Sequence, residues 1–549
     1  MLNPTRRNMA ALFLPIFGIW AVLGAISTRG AESDIPHLRK QGAATQLIVD
    51  GKPYLSLAAE LNNSSASSLE YMKPLWPRLA ATHINTVLAT VSWELIEPVE
   101  GKFDFKLVDG LIDEARANNL RLVFLWFGSW KNGKSTYQPL WIKTDQERFP
   151  LARSKDGKSV PILTTLSDAN RDADARAFAA LMRHLREVDG QKHTVIMIQV
   201  ENEVGVLGDA RDYCPAANKA FAGAVSAELM DYLQKHKETL IPELHKRWEA
   251  AGFKASGTWE EVFGTGVETD ELFMAWNYAC YIGHVAAAGK AEYPLPMYVN
   301  AWLRQNSNEK PGSYPSGGPL PHVMDAWRAG SPEIDMLSPD IYVMNFTEWC
   351  EWFTQSGNPL FIPESRGDVR GVANAIWAFG KHNAIGYSPF GIDRSAGADT
   401  ELARAYDVLG QVSPLILENQ GKGTMTAFLL DSGMPIQKVR LGNYIIEARF
   451  RPRSFGPGSN TPPERVAGLI ISVGPDDYVI VGRDMNVYFA SATNESATVG
   501  LGTVEEGTYV NGRWMPGRRL NGDETPEWRA LRFRADNYSI QRVRLYRYH

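Results

Sequence analysis

The sequence predicts a (β/α)8 TIM barrel followed by a C-terminal antiparallel β-sandwich, and three observations carry that expectation. Eight short apolar runs alternate with longer amphipathic stretches, the pattern of a parallel sheet covered by helices. No glycine-rich phosphate loop follows the first run, which sets aside a doubly wound sheet. From about Gly421 onward the rhythm changes to β-rich segments separated by Gly, Pro and Asn.

The predicted barrel strands cover residues 54–57, 86–91, 121–126, 195–200, 297–300, 340–343, 360–362 and 384–388. Each is bounded by polar or turn residues, as strands buried on both faces are. Leu107, Leu111 and Ala115 share a helical face before the third strand. Phe178, Leu181, Leu185 and Val188 do so before the fourth, and Val372, Ile376 and Phe379 before the eighth. The stretch 216–290 exceeds what one crossover helix needs. It carries helical patterns at 229–237 and 242–251 and reads as a helical insertion in a barrel covering 28–420. In the tail, 444–450, 469–473, 478–481, 487–490, 530–533 and 543–546 read as strands, with Asn511-Gly512 and Asn521-Gly522 as turns. This predicts a separate sandwich over 421–549, for which three roles fit: binding glycan, bracing the barrel or building a homodimer interface.

Ahead of the barrel, Arg6 and Arg7 precede an uncharged stretch, 9–27, that ends in Ala25-Ile26-Ser27. A basic start, an apolar middle and a small-residue end fit a signal peptide over 1–27. An uncleaved anchor is the competing reading; Pro15, Gly18 and Gly24 favour cleavage. The expected location is therefore secreted or periplasmic, with no stable membrane partner once the leader is cleaved. In that oxidising setting Cys214, Cys280 and Cys350 give one bridge and one leftover thiol, or none.

Composition narrows the function. The 549 residues include 57 Lys+Arg and 62 Asp+Glu, for a net charge of −5, which argues against nucleic acid or an anionic membrane as the main partner. Three Cys exclude a disulfide scaffold. The 16 Trp, 20 Tyr and 22 Phe suit a large core and also a cleft that stacks flat, weakly polar rings such as sugars.

Barrel chemistry sits where strands end at the C-terminal face. The fourth strand ends in Gln199-Val200-Glu201-Asn202-Glu203-Val204-Gly205, and the seventh in Leu360-Phe361-Ile362-Pro363-Glu364-Ser365. Strand alternation would point Glu201 and Glu203 alike and Asn202 away, a regularity expected to fail where the strand stops. Strands four and seven lie across the barrel, so Glu203 and Glu364 can face one cleft although they are far apart in the chain. Paired carboxylates are what glycoside cleavage requires. A lone Glu at a strand end is more often a surface or ion-paired residue; the joint placement, with Asn directly before the first Glu, reverses that expectation.

These residues resemble the clan of retaining glycosidases on (β/α)8 barrels. Within it, the segment 199–205 is similar to the acid/base segment of glycoside hydrolase family 35, the β-galactosidases. Trp93-Glu94-Leu95-Ile96-Glu97-Pro98 and Gly101-Lys102-Phe103-Asp104-Phe105 echo the segment after the family's second strand. The resemblance covers roughly residues 45–415, and the tail is similar to a β-rich appendage of a bacterial branch. It implies Glu203 as acid/base, Glu364 as nucleophile, Asn202 on the sugar 2-hydroxyl and Tyr342 as a hydrogen-bond donor to the nucleophile. It also implies a retaining exo-β-galactosidase acting on terminal galactose of plant cell-wall oligosaccharides such as xyloglucan side chains. The third strand departs from the family: it runs into Trp130-Lys131-Asn132-Gly133 where better-known members have Gly-Pro-Tyr and Asn-Ala-Glu segments. Lys131 and Asn132 either replace those sugar contacts or cap a loop.

Glu60, Asn62 and Asn63 are expected on the cleft floor and Phe390 on an aromatic platform. Trp93, Trp130, Trp141 and Trp302 either stack on sugar or pack in the core. The ten His show no metal-ligand spacing, Gly317-Gly318 lacks the rest of a phosphate loop, and no Ser sits in a nucleophile elbow; no metal and no cofactor are expected. An exo enzyme needs a blind pocket, which the insertion and the β domain are expected to wall. The rival readings are a retaining endo-β-glucanase or β-mannanase, and a carbohydrate-binding protein without catalysis, against which the presence of both carboxylates argues.

Overall fold

Eight parallel strands carry the fold: β1 Ser56–Glu60, β2 Thr86–Ser92, β3 Arg121–Lys131, β4 Val195–Asn202, β5 Met297–Trp302, β6 Met336–Asp340, β7 Phe361–Ser365 and β8 Gly386–Pro389. This computed structural model describes Met1 and residues 35–450 and 465–549, except positions 307, 432, 495, 527 and 528. Apart from Met1, the leader read over 1–27 lies outside the described residues. The strands pair in the order β6-β5-β4-β3-β2-β1-β8-β7, and a parallel bridge between Ile341 and Ser365 closes the ring. Runs such as Thr-Val-Leu-Ala-Thr-Val-Ser in β2 are buried along their whole length, which is why they read as continuous apolar segments.

Eight helices follow the strands in turn: α1 Leu75–Ala81, α2 Lys106–Ala117, α3 Asp168–Asp189, α4 Val267–Glu292, α5 Met324–Gly330, α6 Phe346–Phe353, α7 Val369–His382 and α8 Glu401–Asn419. Their apolar faces meet the sheet as the periodicity predicts, except that Val188 at the end of α3 is exposed. The predicted insertion runs too far. Helix α4 packs along α3, so closely that a Cβ on Gly289 would lie 2.2 Å from Phe178, and it belongs to the barrel ring. The added part is the run of short helices from Pro215 to Phe263.

Strand boundaries also shift: β3, β4, β5 and β7 run on past their predicted ends, β8 starts later, and the first and sixth strands are displaced. Residues 54–57 span a break: Lys52–Tyr54 joins His37–Gln41 and Ala44–Val49 in a three-stranded antiparallel sheet, and the barrel strand starts at Ser56. Leu47 and Val49 of that small sheet pack on Ala58, Leu88, Val123, Ile196, Met336, Phe361 and Ile385, capping the N-terminal end of the barrel. The sixth strand ends at Asp340 instead of starting there, because Ser338 and Pro339 read as breakers although both lie within it.

The C-terminal region holds β9 Met425–Asp431, β10 Ile436–Leu441, β11 Tyr444–Phe450, β12 Arg465–Gly474, β13 Asp477–Gly482, β14 Met485–Ser491, β15 Thr498–Val510, β16 Arg513–Arg519, β17 Ala530–Arg532 and β18 Ser539–Tyr548. They form an antiparallel six-stranded sheet, β9-β12-β13-β18-β15-β16, facing a four-stranded one, β10-β11-β14-β17. Phe428, Leu430, Ile470, Ile480 and Val543 fill the space between the sheets with Tyr444, Ile446 and Leu531. The alternate residues Ala427, Leu429, Leu469, Ile471, Val479 and Val481 join the barrel core instead. The sandwich is therefore not separate. Gly380 of α7 lets the sheet approach so near that a Cβ there would lie 2.6 Å from Leu469 and 2.7 Å from Ala427. Arg465 donates to Asn374 Oδ1 at 2.8 Å, and Glu401 of α8 accepts from Arg483 and Tyr538 at 2.8 and 2.7 Å.

Cys214, Cys280 and Cys350 are unbridged. Among the described residues no helix is long and apolar enough to cross a membrane.

Candidate active site

The end of β4 is built from two residues in a backbone region that L-amino acids seldom enter. Glu201 has φ +63° and Glu203 φ +45°, conformations that cost on the order of 1–2 kcal/mol each. The surroundings hold them there. The Asn132 N–H donates to the Asn202 carbonyl at 3.2 Å, the Gly133 N–H to the Glu203 carbonyl at 3.0 Å, and the Glu203 N–H to Asn300 Oδ1 at 2.9 Å. The kinks abolish strand alternation, as expected where a strand stops. Glu201 turns away from the cleft and accepts from the Ser129 and Trp130 N–H groups at 3.0 and 2.7 Å. Burial, then the neighbouring Asp174, pushes its carboxyl well above the usual range. Asn202 and Glu203 are left facing the cleft.

A bulge in β3 supplies the third wall. Trp126 pairs with Val200, yet the next partner, Lys131, pairs with Asn202. The extra residues bend the strand, turning Trp130 into the core and Lys131 over the cleft. Trp130 is fully buried, donates to the Leu163 carbonyl and packs edge-on against Tyr278 and Tyr281. It does not reach the site. Trp93 and Trp141 likewise pack on each other in the core.

Glu364, at the end of β7, accepts from the Tyr342 hydroxyl at 3.0 Å, Asn202 Nδ2 at 3.3 Å and Asn300 Nδ2 at 3.5 Å. Lys131 Nζ stands 4.0 Å from it and donates to Asn202 Oδ1 at 2.9 Å, which orients that amide so its N–H2 meets Glu364. Asp340 accepts from Asn300 Nδ2 at 2.7 Å. Oxygen atoms of Glu203, Asp340 and Glu364 all lie within 4.8 Å of one another, and all three residues are buried. Such a trio has the spacing to hold a cation, but the fixed charge of Lys131 already serves that end. Burial of its ammonium is outweighed by Glu364, Glu203, Glu60 and Asp340, which hold it protonated.

Crowding separates the carboxyls electrostatically. Burial, then the charge of Glu364, raises Glu203 to about 8, against the opposing effects of Lys131 and a hydrogen bond from Asp340. Asp340 and Glu60 are each pushed well above the usual carboxylate range, first by burial and next by Glu364. A protonated Glu203 beside the hydrogen-bonded Glu364 is the arrangement that divides acid from nucleophile.

These groups open on a cavity of about 500 Å3 lined also by Asn63, Asn132, Trp302, Leu303, Gln305, Tyr342 and Phe390. Of the residues expected here, Glu60 lies buried beneath the cavity, near enough to Glu364 and Lys131 to feel their charge. Asn62 points elsewhere, held by Asp393 through its backbone N–H and side-chain amide. Among the described residues, none of the insertion or of the C-terminal sheets lines the cavity. Asn300 and Asp340 were not among the expected site residues. Their signal, a polar side chain closing an apolar strand, is the same that marked Glu203 and Glu364.

Residues 72–263 match the glycoside hydrolase family 42 model, described as Beta-galactosidase. The motifs resemble family 35, whereas the matching model is that of family 42, so the likeness holds at the level of β-galactosidases. Residues 402–532 match a family described only as a domain of unknown function. A β-galactosidase of Xanthomonas manihotis is 30% identical over 183 residues, 32% of this chain and 28% of that one. Similar solved structures include a cold-adapted β-galactosidase from Rahnella sp. R3 (TM-score 0.45, 16% identity, 66% of this chain and 57% of that chain). A β-amylase catalytic domain from Paenibacillus polymyxa is another (TM-score 0.42, 12% identity, 62% of this chain and 92% of that chain). The chain spans less than two thirds of the length of the two β-galactosidases.

Proposed function

We propose that this protein is a retaining β-galactosidase, with Glu364 as nucleophile and Glu203 as acid/base. The observation that carries the reading is the separation of the two carboxyls. Oxygens within 4.8 Å suit direct attack, for which carboxyl groups stand roughly 5–5.5 Å apart; inversion needs about 6.5–9.5 Å to admit a water. Glu364 attacks the anomeric carbon while Glu203 gives its proton to the departing oxygen, leaving a glycosyl ester. The charge that raised Glu203 is then gone, its pKa falls, and it takes a proton from the water that cleaves the ester. Lys131, Asn202, Asn300 and Tyr342 position Glu364. Trp302 and Phe390 offer ring faces to the sugar.

The substrate class is terminal β-linked galactose on oligosaccharides, with plant cell-wall side chains of the xyloglucan type as the preferred source, met after export to the periplasm or beyond. The family resemblance and the leader-like N-terminus support these finer points. Proton NMR of the first product formed from p-nitrophenyl β-galactoside, run beside the glucoside, mannoside and arabinoside, tests the reading. β-Galactose as first product is expected; α-galactose, or no release from the galactoside, overturns it. Glu364→Ala should abolish turnover with folding intact. Glu203→Ala should keep residual activity only on aryl glycosides, whose leaving groups need no proton; wild-type rates in both variants would contradict the roles.

A further inference from the structure

A second cavity adjoins the first. It measures about 790 Å3 and is lined by Asn62, Asn63, Ser64, Ser65, Ser67, Ser68, Tyr71, Phe390 and Arg394. Asn63 and Phe390 border both cavities, so the ring face of Phe390 is a partition with space on either side. The lining is unlike a core void: hydroxyls and amides surround Tyr71, which is 55% exposed. An aromatic face ringed by short polar groups is a surface for a sugar ring, whose C–H face stacks while its hydroxyls bond. The wall is fixed before any ligand arrives. Asp393 takes the Asn62 backbone N–H at 2.9 Å, both its oxygens take Asn62 Nδ2 at 2.8 Å, and Ser65 Oγ donates to it at 2.9 Å. Beside this braced wall, the Oδ1 of Asn63 is buried without a partner, an acceptor waiting for a hydroxyl at the junction of the two cavities.

The ring of strands tells which end of the substrate this groove receives. Its residues follow β1 and β8, whereas Glu203 ends β4, diametrically opposite β8. The acid must touch the departing oxygen, so the leaving group lies toward β4 and the groove lies behind the sugar being cleaved. We propose that the groove is a second subsite on the non-leaving side, which holds a sugar unit carried by the galactosyl residue itself. The proposal rests on the β-galactosidase reading and extends it. A terminal galactose fills only the first cavity, and a substituted one fills both. The enzyme would then release an intact disaccharide from a substituted galactoside: the anomeric bond to the leaving oxygen breaks, water supplies the new hydroxyl, and the inner glycosidic bond survives.

p-Nitrophenyl β-galactobiosides of each linkage, compared with p-nitrophenyl β-galactoside, test this directly. For at least one linkage nitrophenol should appear without lag, together with intact galactobiose. Tyr71→Ala and Arg394→Ala should lower kcat/KM for that galactobioside tenfold or more, while the monogalactoside stays within twofold. Galactose as the sole sugar product, with nitrophenol appearing after a lag, overturns the subsite and leaves the galactosidase reading standing. So does an equal loss on both substrates in the variants. No nitrophenol from any galactoside overturns the galactosidase reading and the subsite with it.

Discussion

At the scale of single residues, the site is a problem in keeping like charges together. Glu203, Asp340, Glu364 and Glu60 converge around one ammonium, and one cation cannot neutralise four carboxylates. The excess is relieved by protons, which is how Glu203 comes to hold one up to about pH 8. The acid form is present below that value and is lost as pH rises through it. The kcat/KM for p-nitrophenyl β-galactoside should therefore fall above about pH 8, and Glu203→Gln should remove that limb from the residual activity. A basic limb unchanged in Glu203→Gln would sink the assignment. Lys131 has a second duty in orienting Asn202. Hydrogen bonds to charged groups contribute about 1.5–3 kcal/mol, so Lys131→Met should lower kcat/KM by about 10- to 100-fold; a loss under twofold would show that the amide keeps its orientation unaided. Little of this balance is legible in the chain. Glu203 and Glu364 stand out because each closes an apolar run, but Glu201 carries the same signal and faces away, since its backbone turn is imposed by groups on β3 and β5.

At the scale of elements, the β3 bulge decides what the site can contain. The sequence reads a strand only over 121–126, although β3 runs on to Lys131, and it does not tell which side Trp130 and Lys131 take, because a bulge shifts the period by residues that look like any others. Gly128 lies inside it with Trp126 Nε1, Glu201 Oε1 and Asp174 Oδ1 at 2.4, 2.6 and 2.9 Å from where its Cβ would be. Gly128→Ala should thus displace the Glu201–Asp174 pair and destabilise by ~1–3 kcal/mol. A thermal midpoint lowered by several degrees, with kcat lowered as Asn202 and Glu203 move, is the expected result; an unchanged midpoint would mean the bulge yields freely. The barrel strands themselves were legible because burial on both faces leaves an unbroken apolar run. The sixth was misplaced because Ser338 and Pro339 read as breakers although neighbours on both faces of the strand bury them, a fact of tertiary structure.

At the scale of the whole molecule, the six-stranded sheet belongs to two cores. Its β segments and turns announce themselves in the sequence, but its docking does not: alternation with both faces apolar marks a covered sheet without naming the cover. The contact with α7 turns on Gly380, where a methyl group would meet Leu469 and Ala427 at 2.6 and 2.7 Å. Gly380→Ala should lower the thermal midpoint with little effect on kcat/KM, because the site lies at the mouth of the barrel; two well-separated unfolding transitions in calorimetry of the wild type would show the sheet to be independent after all.

The position of β18 has a consequence for how the chain is made. This strand, Ser539–Tyr548, is not at the sheet's rim but between β13 and β15, and its Ile540 reaches the barrel core. A nascent chain can close the barrel ring once β8 and α8 have left the ribosome, and β9, β12 and β13 can then cover α7, yet β15 and β16 stay apart from them until β18 emerges and inserts between β13 and β15. Through that interval the finished barrel carries a divided sheet, and any message cut short before codon 539 yields a chain whose β13 and β15 edges have nothing to pair with but another chain like itself.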